Sequence, residues 1–176
     1  MKKTTEQLLR DYFHAKDENR PWYMADTFAP DARLEMVLKT AAIAFPSEVT
    51  GEPAIADTLV RAFGQTYDNV YTFYFDRPAQ GAVLAEFSCD WMVAMTEKAT
   101  GKVRVGHGRY DWRFQAEPHR VRHLTITIES METLAADTMP AVFAWITSLP
   151  YPWLDRASLR GMPALPGLES LRTLAR

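Results

Sequence analysis

The chain has 176 residues, 47% of them apolar and 24% charged, with a formal net charge of −2 and a sequence pI of about 6.1. That length suits one domain with at most an appendage. The scattered basic residues make no phosphate-neutralising stripe, which argues against a nucleic-acid partner, and no apolar run nears the ~20 residues that span a bilayer, which argues against a membrane one.

Thr4-x-x-Gln7 has the form of a capping box and predicts a helix, with Leu8, Leu9, Tyr12 and Phe13 at helical spacing through about Asp17. Asn19-Arg20-Pro21 breaks it. Pro21 opens a second helix, 22–28, which Pro30 ends. Residues 32–39 alternate Leu34, Met36 and Leu38 with Arg33, Glu35 and Val37, the pattern of a half-buried strand. The irregular apolar stretch 40–50 reads as a loop. Thr50 caps a third helix with Pro53 in its first turn and Ile55, Leu59, Ala62 and Phe63 on its buried face.

The period then changes from helix to strand. Strands are predicted over 70–76, 83–95, 103–115 and 121–129, separated by hairpin-length breaks. Such consecutive strands form one curled sheet. The fold class is therefore α+β: a curved, mainly antiparallel sheet with three N-terminal helices on its concave face, a cone with an internal pocket. This cone is expected to occupy 1–130. Over 131–176 the composition shifts, and four prolines between Pro150 and Pro166 forbid a continuous helix. That tail reads as a strap with short helices, not a second domain.

Cys89 is the only cysteine, which excludes an intrachain disulfide and a multi-thiolate metal site. In its apolar strand it reads as a buried, inert thiol. His14, His119 and His123 show no metal-ligand spacing, and neither metal nor cofactor is expected. Met1-Lys2-Lys3 is not followed by an apolar signal core, so a cytoplasmic setting is expected.

Three segments carry a resemblance: "FAPDARLE" at the first strand, "TGEPAIADTLVRAF" as the third helix, and "GRYDWRFQ" before the last hairpin. In these the chain resembles the nuclear transport factor 2-like (cystatin-like cone) superfamily, which includes ketosteroid isomerase, SnoaL-like cyclases, scytalone dehydratase and limonene epoxide hydrolase. The resemblance places Tyr12 at the isomerase's oxyanion-hole tyrosine and Met36 at its proton-shuttling aspartate. It places Tyr110 or Asp111 at the second oxyanion-hole acid. The epoxide hydrolase's Arg-x-Asp pair falls on Ser88 and Asp90, and its second aspartate on Ile126. The dehydratase's pocket histidines and tyrosines are matched by His107 or Tyr110.

The residues themselves offer candidates beside that resemblance. Asp90 interrupts an apolar strand. If its face lines the hollow, it is a desolvated carboxylate suited to general-base work; if not, Phe87 and Trp91 line the hollow instead. His107, between Gly106 and Gly108, has room beside it for a guest, or is a surface histidine. Arg109 and Asp111 share a face as a cross-strand pair would. Tyr12 and Tyr110 are hydroxyl donors for a developing enolate oxygen.

Aromatic residues make up 12% of the chain, a surplus suited to a cavity or a dimer face. The expected pocket walls are Trp22, Tyr23, Met36, Phe63, Tyr67, Tyr71, Phe73, Trp112 and Trp145. The expected partners are a small apolar or aromatic molecule and a second copy of the chain, paired through the sheet. The function implied is a cofactor-independent lyase or isomerase for a small, largely apolar oxygenated molecule. The alternative is a non-catalytic ligand-binding or interaction module.

Overall fold

A computed structural model describes residues 2–176. Its capping box is formed as the sequence predicts: the Gln7 amide donates to Thr4 Oγ1, and the Thr4 amide donates to Gln7 Oε1. Helix α1 (Thr5–Asp17) follows. A 3-10 turn, Pro21–Tyr23, and the short α2 (Met24–Thr27) lead into β1 (Phe28–Leu38). That strand starts earlier than expected. Pro30 is accommodated because the pairing with β6 shifts register between Phe28 and Arg33.

The loop after β1 ends in β2 (Glu48–Thr50). The next helix has a five-residue α3 (Glu52–Ala56), a π-helical stretch Asp57–Ala62 and α4 (Phe63–Thr66). Then come β3 (Tyr67–Tyr74), β4 (Glu86–Glu97), β5 (Val103–Ala116) and β6 (His119–Leu134). The sheet order is β2-β1-β6-β5-β4-β3, with β1 and β6 parallel and every other pair antiparallel. β6 runs past the expected Glu129 because a bulge there absorbs one residue: His107 pairs with Ser130 while Gly108 pairs with Ile128.

Over the second half of β4 and the first half of β5 both faces are buried, against different partners. Inward-facing Cys89, Trp91, Val93 and Met95 of β4, with Tyr110 and Trp112 of β5, pack under α1 and α3–α4. Phe13 of α1 stacks on Tyr74 at 3.9 Å, and the Tyr74 hydroxyl donates to the Leu9 carbonyl at 2.8 Å, fixing α1 to β3. Burial pushes the Cys89 thiol up from its usual range, as suits an inert group.

Outward-facing Phe73, Met92, Ala94, Val103 and Val105 are covered by the C-terminal segment. That segment contributes Val142, Trp145 and Ile146, all from α5 (Met139–Ile146), and Leu159, Leu168 and Leu171 from the 3-10 turns beyond and their approach. Between these pieces the chain wraps the β3 edge. The Tyr74 amide donates to the Pro152 carbonyl and the Leu154 amide to the Tyr74 carbonyl, each at 2.8 Å, so the edge is not left unpaired. Among the described residues no helix is long and apolar enough to cross a membrane.

This two-sided burial corrects two expectations. Asp90 alternates with Trp91 and faces outward, where Arg156 of the strap bonds it at 2.8 Å. His107 is the cross-strand partner of outward-facing Met92, so it too lies on the strap side. The glycines beside His107 admit no guest. A Cβ on Gly108 would run into the Thr127 carbonyl oxygen and Trp91, and one on Gly106 into Met131. The strap fills the sheet's outer face only over β3, the second half of β4 and the first half of β5, and leaves the rest of that face open. Arg109 and Asp111 do form an exposed pair at 3.1 Å, a rung of a surface ladder that also takes in Ser88.

Gly108→Ala should destabilise the fold by more than about 3 kcal/mol, because backbone and an indole must both move; denaturant unfolding measures it. Burial lowers the His107 pKa below 6.5, partly offset by Glu129 and Asp90. The unfolded chain therefore binds more protons between the folded value and 6.5. The contribution of the neutral ring is complete above pH 6.5 and is lost as pH falls through the folded value. Thermal melts should show wild type losing stability over that window while His107→Gln loses less.

Candidate functional site

Tyr12 and Lys16 are one helical turn apart and so lie on one face of α1. Below them the sheet offers Thr72 from β3, Trp91, Val93 and Met95 from β4, Tyr110 from β5, and Ile126, Ile128 and Met131 from β6. Met36 of β1 closes one side, and Leu59 and Phe63 of the π-helical and α4 stretches close the other. These side chains leave a cavity of about 40 Å³, room for on the order of three waters.

Ile43 and Phe45 from the loop after β1 stand at the mouth with Phe63. There the cavity adjoins an outer groove of about 540 Å³ that also involves Pro46, Thr58 and Tyr67. Buried Arg104 holds this loop by donating to the Ala42 carbonyl, and its other guanidinium nitrogen bonds Glu97 at 2.8 Å. The Arg104 hydrogen bond keeps the Glu97 carboxyl below its usual range.

The cavity is apolar with a few donors. The Tyr12 hydroxyl is fully buried and has no hydrogen-bond partner, and the same is true of the Trp91 indole nitrogen. The Tyr110 hydroxyl lies near enough to Tyr12 to affect its titration but completes no hydrogen bond. Burial raises both phenols far above their usual range, Tyr12 further through the Asp17 charge, so both stay protonated donors. The one charged group at the wall is Lys16. Its ammonium bonds Asp17 Oδ1 at 2.8 Å and Thr72 Oγ1 at 2.6 Å.

Of the residues expected at the site, Tyr12, Tyr110, Met36 and Phe63 meet at this cavity, and Tyr67 stands at its mouth. Trp112 is packed behind Tyr12 at 5.2 Å, and Tyr23 lies outside the cavity, stacked on His14. Trp22 is 86% exposed on a short turn and borders only a surface groove with Lys3 and Asp26, away from the cavity. Tyr71, Phe73 and Trp145 pack on the strap side, because alternation along β3 sends 71 and 73 outward and α5 covers that face. Asp90 and His107 are on the outer face, so no expected proton carrier reaches the cavity.

Sequence reasoning missed Lys16, Asp17 and Thr72. A signal existed: Lys16 continues the stripe Leu8, Leu9, Tyr12, Phe13, and a charge on the buried face of an amphipathic helix needs a partner. Among the described residues no group of three His, Cys, Asp or Glu is placed to hold a metal ion.

No protein-family model matches the chain, and no curated protein matches it. Solved structures do resemble it. A nuclear transport factor 2-like superfamily protein from Salmonella enterica serovar Typhimurium is 16% identical, with 71% of this chain and 88% of that one covered at a TM-score of 0.55. A protein of ketosteroid isomerase-like fold from Catenulispora acidiphila, in complex with trimethylamine, is 14% identical, with 70% and 85% covered at 0.54. A hexachlorocyclohexane dehydrochlorinase is 11% identical, with 73% and 84% covered at 0.55. The chain has the nuclear transport factor 2-like fold.

Proposed function

We propose that the chain is a lyase or isomerase, acting without a cofactor on a small, largely apolar molecule that carries an oxygen acceptor. The observation that carries this reading is the pair of orphan donors in the cavity, the Tyr12 hydroxyl and the Trp91 indole. Buried donors without acceptors are costly, and a guest's carbonyl oxygen would satisfy them. When a C–H bond beside that carbonyl breaks, its electron pair moves onto the oxygen as negative charge and its proton passes to a water admitted at the mouth, the lining itself offering no carboxylate or imidazole. Fixed donors in a water-poor hollow stabilise that charge more strongly than water does. Tyr12 and Tyr110, kept protonated by burial, are suited to this, and Met36, Phe63 and Ile126 would hold the apolar body. The dehydrochlorinase of like fold lends the elimination class support.

A second reading is that the same guest is bound and not transformed. It is favoured by the lining itself, which contains no carboxylate and no imidazole.

A panel of cyclic and open-chain ketones incubated with the protein in heavy water separates the two. Enzyme-dependent deuterium exchange beside the carbonyl, followed by proton NMR, is expected. It should fall about tenfold or more in Tyr12→Phe and in Tyr110→Phe. Binding without exchange selects the second reading, and absence of both sinks the guest cavity altogether. Tyr12→Phe should leave thermal stability equal or higher, since it removes a buried hydroxyl that has no partner.

A further inference from the structure

Lys16 and Asp17 are adjacent in sequence, and both side chains are withdrawn from water, 8% and 2% exposed. A lysine ammonium has three N–H donors. Two are used, on Asp17 and Thr72, and the third has no oxygen or nitrogen partner among the described residues. The nitrogen sits between the rings of Phe13 and Phe63, at 5.4 and 5.2 Å from their centroids, at the cavity wall.

Asp17 is held differently. Its carboxylate accepts from Lys16, from the Thr72 amide at 2.7 Å, from the Thr72 hydroxyl at 2.9 Å and from the Tyr151 hydroxyl at 2.8 Å. Four donors fill the lone-pair sites of a carboxylate. Asp17 is thus a fixed anion with no site left for a proton, and Lys16 beside it is a donor and not a base. Tyr151 belongs to the strap, where the strap rounds the β3 edge just before Pro152 and Leu154 bond Tyr74.

We infer that Lys16 fixes the guest's oxygen and selects a neutral acceptor over an anion, and that Tyr151 is a positioning residue that holds Lys16 in place through Asp17. This rests on the guest cavity proposed above and narrows its substrate class to neutral carbonyl compounds. The charge balance gives the selectivity. Lys16 and Asp17 sum to zero, so an entering carboxylate would bring an uncompensated charge into an apolar hollow. A ketone brings none and takes the third N–H together with the Tyr12 hydroxyl.

Three probes of one shape test this: cyclohexanone, cyclohexanecarboxylate and methylenecyclohexane, which lacks the oxygen. Wild type should bind the ketone about tenfold or more tightly than either of the others. Lys16→Met should lose roughly tenfold in ketone affinity and its preference over methylenecyclohexane. Tyr151→Phe should melt near wild type, because Tyr151 is 41% exposed, yet lose about threefold in ketone affinity. The carbonyl carbon-13 resonance of bound cyclohexanone should shift downfield in wild type and less so in Tyr151→Phe, a change that a purely structural role would not produce.

If Lys16→Met does not fold, the Tyr151→Phe affinity and resonance decide. Wild-type values in that variant, or a preference for the carboxylate, overturn the inference. Ketone binding that responds to Tyr12→Phe but not to Lys16→Met or Tyr151→Phe overturns it alone. Absence of binding by wild type overturns the guest cavity and this inference together.

Discussion

A strand can show only every second side chain to one side, and in β4 and β5 that constraint decides everything else. Trp91 and Tyr110 face the helices, so Asp90 and His107 must face away. No local adjustment can bring both sets to one hollow, since a one-residue slip would send the whole apolar row outward. The bulge at Glu129 shifts the pairing of β6 without altering which β5 residues face the cavity. The pleat thereby sorts chemistry-bearing residues into two groups. The Tyr110 phenol and the Trp91 indole go to the cavity, where α1 adds Tyr12 and Lys16, and the carboxylate and imidazole first expected to move protons go under the strap.

The two sides are nonetheless connected. Tyr74 packs against Phe13 on the helix side and exchanges backbone hydrogen bonds with the strap. Two residues earlier on the same strand, Thr72 is bonded to both Lys16 and Asp17. The strap closes this ring from outside through Tyr151. A buried ion pair is costly unless its remaining donors and acceptors are satisfied. Here Asp17 is fully satisfied and Lys16 is not, so the unmet demand of the network points into the cavity. Loosening the strap would release Asp17 first, and Lys16 with it.

Much of the fold was legible because its signals are local. The Thr4–Gln7 box set the start of α1, and the β-branched and aromatic runs set β3 to β6 in order. The face of β4 was not legible. "CDWMVAM" is apolar at nearly every position because helices cover one side and the strap the other, and alternation carries no direction when both sides are dry. The same blindness put Tyr71, Phe73 and Trp145 at the pocket. Trp22 misled for another reason: its helical turn is three residues long, and it is the neighbouring Tyr23 that packs against the core while Trp22 points to water. Tyr12 and Tyr110 were legible through the resemblance, whereas Thr72 became a partner of Lys16 only through a contact between α1 and β3.

The size of the cavity constrains its chemistry as strongly as its donors do. Sites for drug-sized ligands run to roughly 300–1,000 Å³, far above the volume closed off here. Met36, Met95 and Met131 line the space, and their flexible, polarisable side chains can yield to a guest at small cost. Wall and donor therefore behave differently. The apolar wall gives way, while Tyr12, Trp91 and Lys16 are held by packing and by the Asp17 network. A guest entering such a space is free to choose its fit against the methionines but not where its oxygen sits. That combination selects by the position of one acceptor more than by outline, and it places any change of charge at that oxygen against donors that need no rearrangement to meet it.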